Sequence, residues 1–458
     1  MERPTSIAIA RRSDGVKRLV ALLSLLVSLA ATLAPAADRP DLPAQLTLSQ
    51  ALEIALTNST ILRTAQASFE QSKGQYAQAR ALLLPQLNGT ARQSYMTQNL
   101  IGIGIDLPSQ PALLGPFASM NARVFLTQSL LNIADVRAWQ SSSFQQESSL
   151  LLVDDARELV TLDVVSTYLD ALRAKASRDS LDAQTRLAEE LDRLTKDRVS
   201  QGVSAELDGV RAEQQVNSLE QQLQESEQSY VAAKLRLANI LQARVTATFE
   251  VTDDAAYGAG LGQIVSDRDG AIAAALASRA DYRAAERRVR AAELQVQSTK
   301  AYRLPAVQVT LDDGASGSTP ANNVNTYRLT ASIDMPIFTG GRIRGEIEEA
   351  QGTLRKARAD LDESYSQIEA DVLTAISGVE WALKEVATSA GNARLSRQEV
   401  ELTRQRFAQG ISDNTELVNA QVRLSQADDA SIRAQYTLGL ARSNLARAVG
   451  VAEKTYRK

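Results

Sequence analysis

The chain has 458 residues, 50 basic against 54 acidic, only 4% aromatic residues, and neither cysteine nor histidine. Without those two residue types there is no thiol chemistry, no disulfide, no lipidated N-terminal cysteine and no ordinary zinc site. Near-balanced charge with no basic block argues against nucleic acid as a main partner, while the length suffices for a large core or for two or three domains.

At the start, Arg11, Arg12, Lys17 and Arg18 precede LVALLSLLVSLAATLAP, and Ala34-Pro35-Ala36 offers a small-x-small cleavage site. This is the three-part pattern of a secretory signal peptide over residues 1–36, with an uncleaved anchor as the alternative. No later stretch holds 18 consecutive apolar residues, so no further membrane helix is expected. A closed β-barrel stays open as a route into a membrane, because its strands need no long apolar run.

The first half begins with LTLSQALEIALTNSTILRTAQASFEQSKGQYAQARALLLPQL. Thr47 or Ser49 can cap a helix whose apolar positions include Leu52, Leu56, Ile61, Leu62 and Phe69, and Pro85 ends it. Residues 86–99 and 118–131 read as strands around the Gly/Pro-rich IGIGIDLPSQPALLGPF. From Ile133 to Val199 there are 67 residues without Pro or Gly, roughly 100 Å if helical. Such a helix belongs to a coiled coil or a long bundle. Leu151, Leu152, Leu159, Leu162, Val165 and Leu169 are its expected packing stripe. The chain can turn at Gly202 and return over 204–242.

The second half repeats the plan. Residues 271–303 read as helix, YRLPAV echoes LLLPQL, and 306–312 and 325–338 read as strands. In the last of these, Tyr327, Leu329, Ala331, Ile333 and Met335 share one face, and Arg328, Thr330, Ser332 and Asp334 the other. A second long helix covers 342–408, with Gly345, Gly352 and Gly378 as weak points. Gly410 marks its turn, and 413–449 return. RLTKDRVSQGVSAELDGVRAEQQV (193–216) and ELTRQRFAQGISDNTELVNAQVRL (401–424) match across the two halves. Three landmarks keep their order: Pro85 with Pro305, the strand ends near Ser129 and Pro336, and Gly202 with Gly410. The division is therefore a signal peptide at 1–36, a first repeat at 37–242, a linker and equatorial segment at 243–268, a second repeat at 269–450, and a short tail at 451–458.

Four strands are too few to close a barrel, and an open edge in lipid is costly. Three chains supply twelve strands, so a homotrimer resolves both the open edges and the long helices. The sequence resembles the TolC-like outer membrane factors, channel-tunnel proteins of Gram-negative bacteria, over about residues 46–450. The resemblance is carried by the LTLxxALxxAL start, the prolines at the helix-to-strand transitions, IDMPIFTGGRIRGEI (333–347) and FAQGISDNTELVNAQ (407–421). It implies a mainly α fold with membrane β: a trimeric twelve-stranded outer-membrane β-barrel continued by a long periplasmic α-helical barrel, with four strands per chain and an internal two-fold repeat. It also implies an equatorial collar at 243–268, to which the short C-terminal tail adds little. Partners implied are outer-membrane lipid, a periplasmic adaptor and an inner-membrane pump of RND, ABC or MFS type. Where the family often has Gln-Pro-Leu-Phe before the first long helix, this chain has Gln128-Ser129-Leu130-Leu131, which is expected to blur that corner.

The family's selectivity gate is a pair of acidic positions at the second turn, which fall here on Glu416 and Asn419; their first-repeat matches are Asp208 and Arg211. Three Glu416 side chains near one axis repel anions, attract cations and respond to salt and protons, and Arg211 is a candidate to hold helices closed by ion pairs. Solvated charge on a coiled-coil face is the alternative. Gly202, Val203 and Ser204, and Gly410, Ile411 and Ser412, are the turns the resemblance assigns to adaptor contact. Gly102-Ile103-Gly104 lacks the context of a nucleotide loop, Ser412-Asp413-Asn414 lacks the rest of a hydrolase signature, and Asp312-Asp313 reads as solvated. No nucleophile, base and oxyanion site come together, so a non-enzymatic conduit without cofactor or metal is expected. The competing reading is an exported coiled-coil structural or adhesion protein.

Overall fold

The computed structural model describes residues 39–104, 111–245, 248–252, 267–319, 322–409, 411 and 414–457. The expected signal peptide, most of the linker, Gly410 and Ser412 lie outside the described residues. Strand β1 (Gln45–Leu46) leads into helices α1 (Leu48–Asn58) and α2 (Thr60–Ala81). The entry is set by Thr47, whose hydroxyl accepts from the Gln50 amide while the Gln50 side chain takes the Thr47 amide, satisfying two orphan donors at once. Strands β2 (Gln86–Asn99) and β3 (Leu113–Leu131) form a hairpin, followed by α3 (Ile133–Ser200) and α4 (Glu206–Ile240). Strand β4 (Glu250–Val251) precedes α5 (Arg268–Ser278), α6 (Ala280–Ala301), β5 (Ala306–Gly317), β6 (Val324–Asp334), α7 (Arg342–Ala408), α8 (Asn414–Ala448) and α9 (Ala452–Tyr456).

The two halves make the same helix-to-strand step. Leu84 donates to the Ala81 carbonyl before Pro85, and Leu304 to the Ala301 carbonyl before Pro305; a strand starts at the next residue each time. Proline offers no donor to continue the helix, so its last carbonyls are closed by this tighter turn. The return steps differ. After β3, whose register slips between Ser129 and Leu131, the chain enters α3 through Asn132 alone, whose side chain caps Asp135. In the second half β6 stops at Asp334, leaving Met335 and Pro336 outside the strand, and Gly340 and Gly341 with positive φ lead into α7.

The long helices are 68 and 67 residues, and α7 runs unbroken through Gly345, Gly352, Gly378 and Gly391. Helix α3 packs on α2, α4, α6 and α8. Along α3 and α6 the contact is a ladder of small residues. Ser298 donates to the Ala134 carbonyl, Ser141 to Ala291 and Ser148 to Ala284, at 2.8–2.9 Å. Steps of seven residues in opposite directions are the mark of antiparallel coiled-coil packing, and serine both allows the close approach and satisfies its own hydroxyl. The buried stripe of α3 runs through Val153, Ala156, Val160, Val164, Val165 and Tyr168, while Leu159 and, on α2, Ile61 face outward. Of the expected stripe, Val165 and Leu169 are buried, Leu151, Leu152 and Leu162 are half-buried and Leu159 is exposed; towards the first half of α3 the buried positions are small or β-branched, where the serine ladder draws α6 close.

At mid-length the helices meet a core containing Leu52, Tyr168, Leu172, Leu237, Phe249, Ile368, Ile376 and Leu445. Strands β1 and β4 pair in parallel beside it. The Tyr168 hydroxyl lies 2.7 Å from the carbonyls of both Leu46 and Thr252 and can donate to either. The C-terminal segment belongs to this collar, contrary to the small part expected of it. Tyr456 is buried against Ser443, Arg157 forks onto Glu453, and Glu158 accepts from the amides of Ala452 and Glu453. Among the described residues no helix is long and apolar enough to cross a membrane.

The four long strands form one antiparallel sheet in the order β2-β3-β5-β6. Its register fixes two faces. One carries Leu87, Tyr95, Val124, Leu126, Leu131, Tyr327, Leu329 and Ile333, all exposed, with Gln93 and Asp313 among them. The other carries Thr90, Arg92, Ser94, Arg123, Thr310, Asp312, Arg328 and Thr330. Asp312, expected to be solvated, is buried and paired with Arg123, which also reaches the Thr326 hydroxyl. Gly314 allows this crossing: a Cβ there would run into the Ala122 carbonyl and the Arg123 backbone.

Candidate functional site: the paired helical turns

Helix α3 ends in a turn whose geometry needs glycine. Gly202 has φ +74°, and the amides of Val203 and Ser204 both return to the Arg198 carbonyl. Val203 and Ser204 lead directly into α4, whose first turn carries Glu206 and Asp208 beside the positive end of the helix. Asp208 also accepts from the Ala205 amide at 3.3 Å. In the second half, Ile411 donates to the Arg406 carbonyl at 2.9 Å, the counterpart of Val203 on Arg198.

The two turns lie side by side and are joined by three polar links. Arg198 donates to the Phe407 and Ala408 carbonyls at 2.7 and 3.2 Å, with its guanidinium 4.8 Å from the Phe407 ring centre. It thereby occupies the open acceptors at the C-terminal end of α7, where a cation is favoured. Asn414 donates to the Asp208 carbonyl at 2.9 Å, and Arg211 to the Thr415 hydroxyl at 2.9 Å. Beneath them Leu191, Phe407 and Leu417 form a small buried cluster.

The candidate gate residues divide. Asp208 and Arg211 stand together, 3.9 Å apart, and both touch the start of α8. Glu416 instead pairs with Arg406 of its own hairpin at 3.0 Å. Asn419, one turn further along α8, is exposed. Higher on the same hairpin Arg423 forks onto Glu399 at 2.6 and 3.1 Å, and its hydrogen bonds hold that carboxyl below its ordinary value. Asp428 pairs with Arg397 at 2.6 Å, yet burial keeps its carboxyl above the ordinary value. Three participants were missed in the sequence: Arg198, Arg406 and Asn414. The first two carried a signal, an arginine four residues before the turn glycine in both copies. Among the described residues no group of three potential metal ligands occurs.

The profile of the family described as "Outer membrane efflux protein" matches residues 51–242 and 271–451, one match on each half of the chain. The pyoverdine export outer membrane protein OpmQ of Pseudomonas putida is 26% identical over 426 residues, spanning 88% of this chain and 85% of that one. Among solved structures, the outer-membrane channel OprN superposes with a TM-score of 0.74 at 18% identity, covering 88% of this chain and 89% of its own. VceC of Vibrio cholerae gives 0.74 at 18% identity, covering 88% and 96%.

Proposed function

Because the chain belongs to the outer membrane efflux protein family and has the fold of the trimeric TolC-like outer-membrane channels, we propose that three copies form one passive exit conduit. It serves a tripartite export system, and the paired turns are its periplasmic gate and adaptor contact. The observation carrying this reading is the sheet. Both β2 and β6 have a free edge, and one face is mostly exposed apolar side chains, interrupted by Gln93 and Asp313. Unpaired strand edges are not tolerated in hydrocarbon, and closure with two further copies removes all of them. The helices then carry the lumen away from the membrane over roughly 100 Å, the length of a 68-residue helix.

In this reading residues 37–242 and 269–450 are two quasi-equivalent wall segments, with 243–268 in the collar. Transport energy comes from an inner-membrane pump reached through an adaptor at Gly202, Val203, Ser204, Gly410, Ile411 and Ser412. Glu416 faces the axis near the narrow end, with Asn419 above it, while Asp208 and Arg211 latch the first hairpin to the second. No step of bond chemistry is assigned to any residue.

The experiment is single-channel recording of the purified full-length trimer in planar bilayers, with E416A beside wild type. A small cation-preferring current that grows or loses preference in E416A supports the gate. An unchanged current keeps the conduit and moves the gate to Asp208 or Asn419. A protein that stays soluble and never inserts favours the exported coiled-coil reading instead.

A further inference from the structure

The polar face of the sheet carries three arginines and too few carboxylates. Arg92, Arg123 and Arg328 share this face, on β2, β3 and β6. Asp312 lies directly opposite Arg328 in register but forms its ion pair with Arg123. Asp334 stands at the far, helix-bearing end of β6. Among the described residues neither Arg92 nor Arg328 takes part in an ion pair. The apolar face opposite is exposed leucine, tyrosine and isoleucine, so the arginine face is the one turned to water.

Arg92 and Arg328 sit on the two edge strands, each six residues from the end where its strand meets a helix. Both of those ends lie on the helix-bearing side of the sheet, where β2 begins and β6 finishes. Closing the sheet on a second copy therefore sets β6 beside the neighbouring β2 with these arginines on one face and near one level. Two guanidiniums brought together without a carboxylate repel, and a multivalent anion between them removes that repulsion through charge-assisted, forked hydrogen bonds. We propose that each seam of the barrel is a binding site for small multivalent anions, phosphate- or carboxylate-bearing solutes, formed by Arg328 of one protomer and Arg92 of the partner subunit. The site rests on the trimeric conduit reading and adds a cargo preference to it. With Glu416 at the other end, the tunnel carries opposite charge at its two ends, and anionic solutes are held at the exit.

The test is calorimetric titration of pyrophosphate into the detergent-solubilised full-length trimer at low ionic strength. Saturable binding is expected in wild type, weakened at least about tenfold in R92Q/R328Q. Binding should persist in R92K/R328K and in R186Q, which removes an exposed arginine on α3. It should also fall as salt is added, because the site is open to water. Trimers that bind no pyrophosphate, or bind it equally in R92Q/R328Q, overturn the site and leave the conduit standing. A protein that stays monomeric in detergent overturns conduit and site together. If R92Q/R328Q does not assemble, wild-type current decides: block by pyrophosphate from the barrel side but not the turn side supports the site, and no such block counts against it.

Discussion

Where α3, α4, α7 and α8 pass through the collar, they share a core in which Tyr168, Leu237, Ile368 and Leu445 are fully buried. Where the same helices end, they are joined by Arg198, Arg211 and Asn414, over a cluster of only three buried apolar side chains. The first kind of contact is strong, dry and hard to remake. The second consists of hydrogen bonds that water can replace at little net cost. One set of helices is thus pinned at the middle and only latched at the end. That is the arrangement an iris needs: a fixed pivot and a releasable rim.

The largest effect is expected at the pivot. Tyr168→Ala empties a buried aromatic site and removes the hydroxyl between the Leu46 and Thr252 carbonyls, of which Leu46 keeps the Thr252 amide and hydroxyl as donors, costing about 3–5 kcal/mol. Tyr168→Phe keeps the packing and costs roughly 1–2 kcal/mol. Thermal melts of the detergent-solubilised protein measure both. A Tyr168→Ala protein that melts like wild type would break the comparison outright.

Next comes the collar's charge network. Arg447 holds Asp155 at 2.6 Å, with both side chains mostly buried. Arg447→Gln strands that carboxylate and takes the same positive charge away from Glu158 and Asp281, which should cost about 3 kcal/mol. The same network predicts a two-sided pH dependence. Burial raises the carboxyls of Asp155 and Glu158 above their ordinary values, in spite of Arg447 and of the α9 amides. Burial also works to raise Asp281 and Glu453, but the hydrogen bonds and charge of Arg279 and Arg157 outweigh it and leave both lowered. A raised acid binds its proton more tightly in the folded state, so mild acidification stabilises. A lowered acid contributes stability above its unfolded value, and this is lost as pH falls through the folded one. Melting temperature should therefore rise slightly on leaving neutrality and drop below the ordinary carboxylate range. A monotonic fall from pH 7 would remove Asp155 and Glu158 from the account.

Much of this frame was legible from residue patterns, and the exceptions share a cause. The bounds of β2, α3 and α7 follow from Pro85, from the tract without Pro or Gly, and from the Gly340-Gly341 pair, all of which act within one turn of chain. The buried stripe of α3 was placed correctly at Val165 and Leu169 but not at Leu159, because spacing there is set by Ser141, Ser148 and their partners on α6, some 140 residues away. Asp312 was read as solvated because its partner Arg123 is reached only through sheet register. The tail was undervalued because Tyr456 packs on a core built from the rest of the chain. At the turns, the doubled arginine could be read from the repeat; its divided use could not. Arg198 reaches the other hairpin, whereas its counterpart Arg406 stays within its own.

A smaller effect on stability, and a larger one on current, is expected at the latch. Arg198→Ala removes two bonds to carbonyls and the contact with the Phe407 ring, about 1–2 kcal/mol locally. The pivot does not feel this, so the melting temperature should stay near wild type while mean conductance or open probability rises several-fold. Loss of thermal stability without a change in current would make Arg198 part of the scaffold.

The smallest change in stability is expected at Glu416, and it carries a sign that sharpens the contrast most. The Arg406–Glu416 pair is about half exposed, and such pairs contribute on the order of 0–1 kcal/mol. Breaking it from either side should barely move the melt. On the proposed gate, the two breaks differ in what they leave facing the axis. Glu416→Gln leaves an uncompensated arginine and should shift the reversal potential in a salt gradient toward anions. Arg406→Gln unmasks the carboxylate and should shift it toward cations, because three copies concentrate the effect at a narrow opening. Opposite shifts with unchanged melts would mark the rim as an electrostatic device resting on a separate mechanical pivot. Shifts of the same sign, or none, would mean that Glu416 and Arg406 form an ordinary surface pair and that the charge governing passage lies elsewhere on the hairpins.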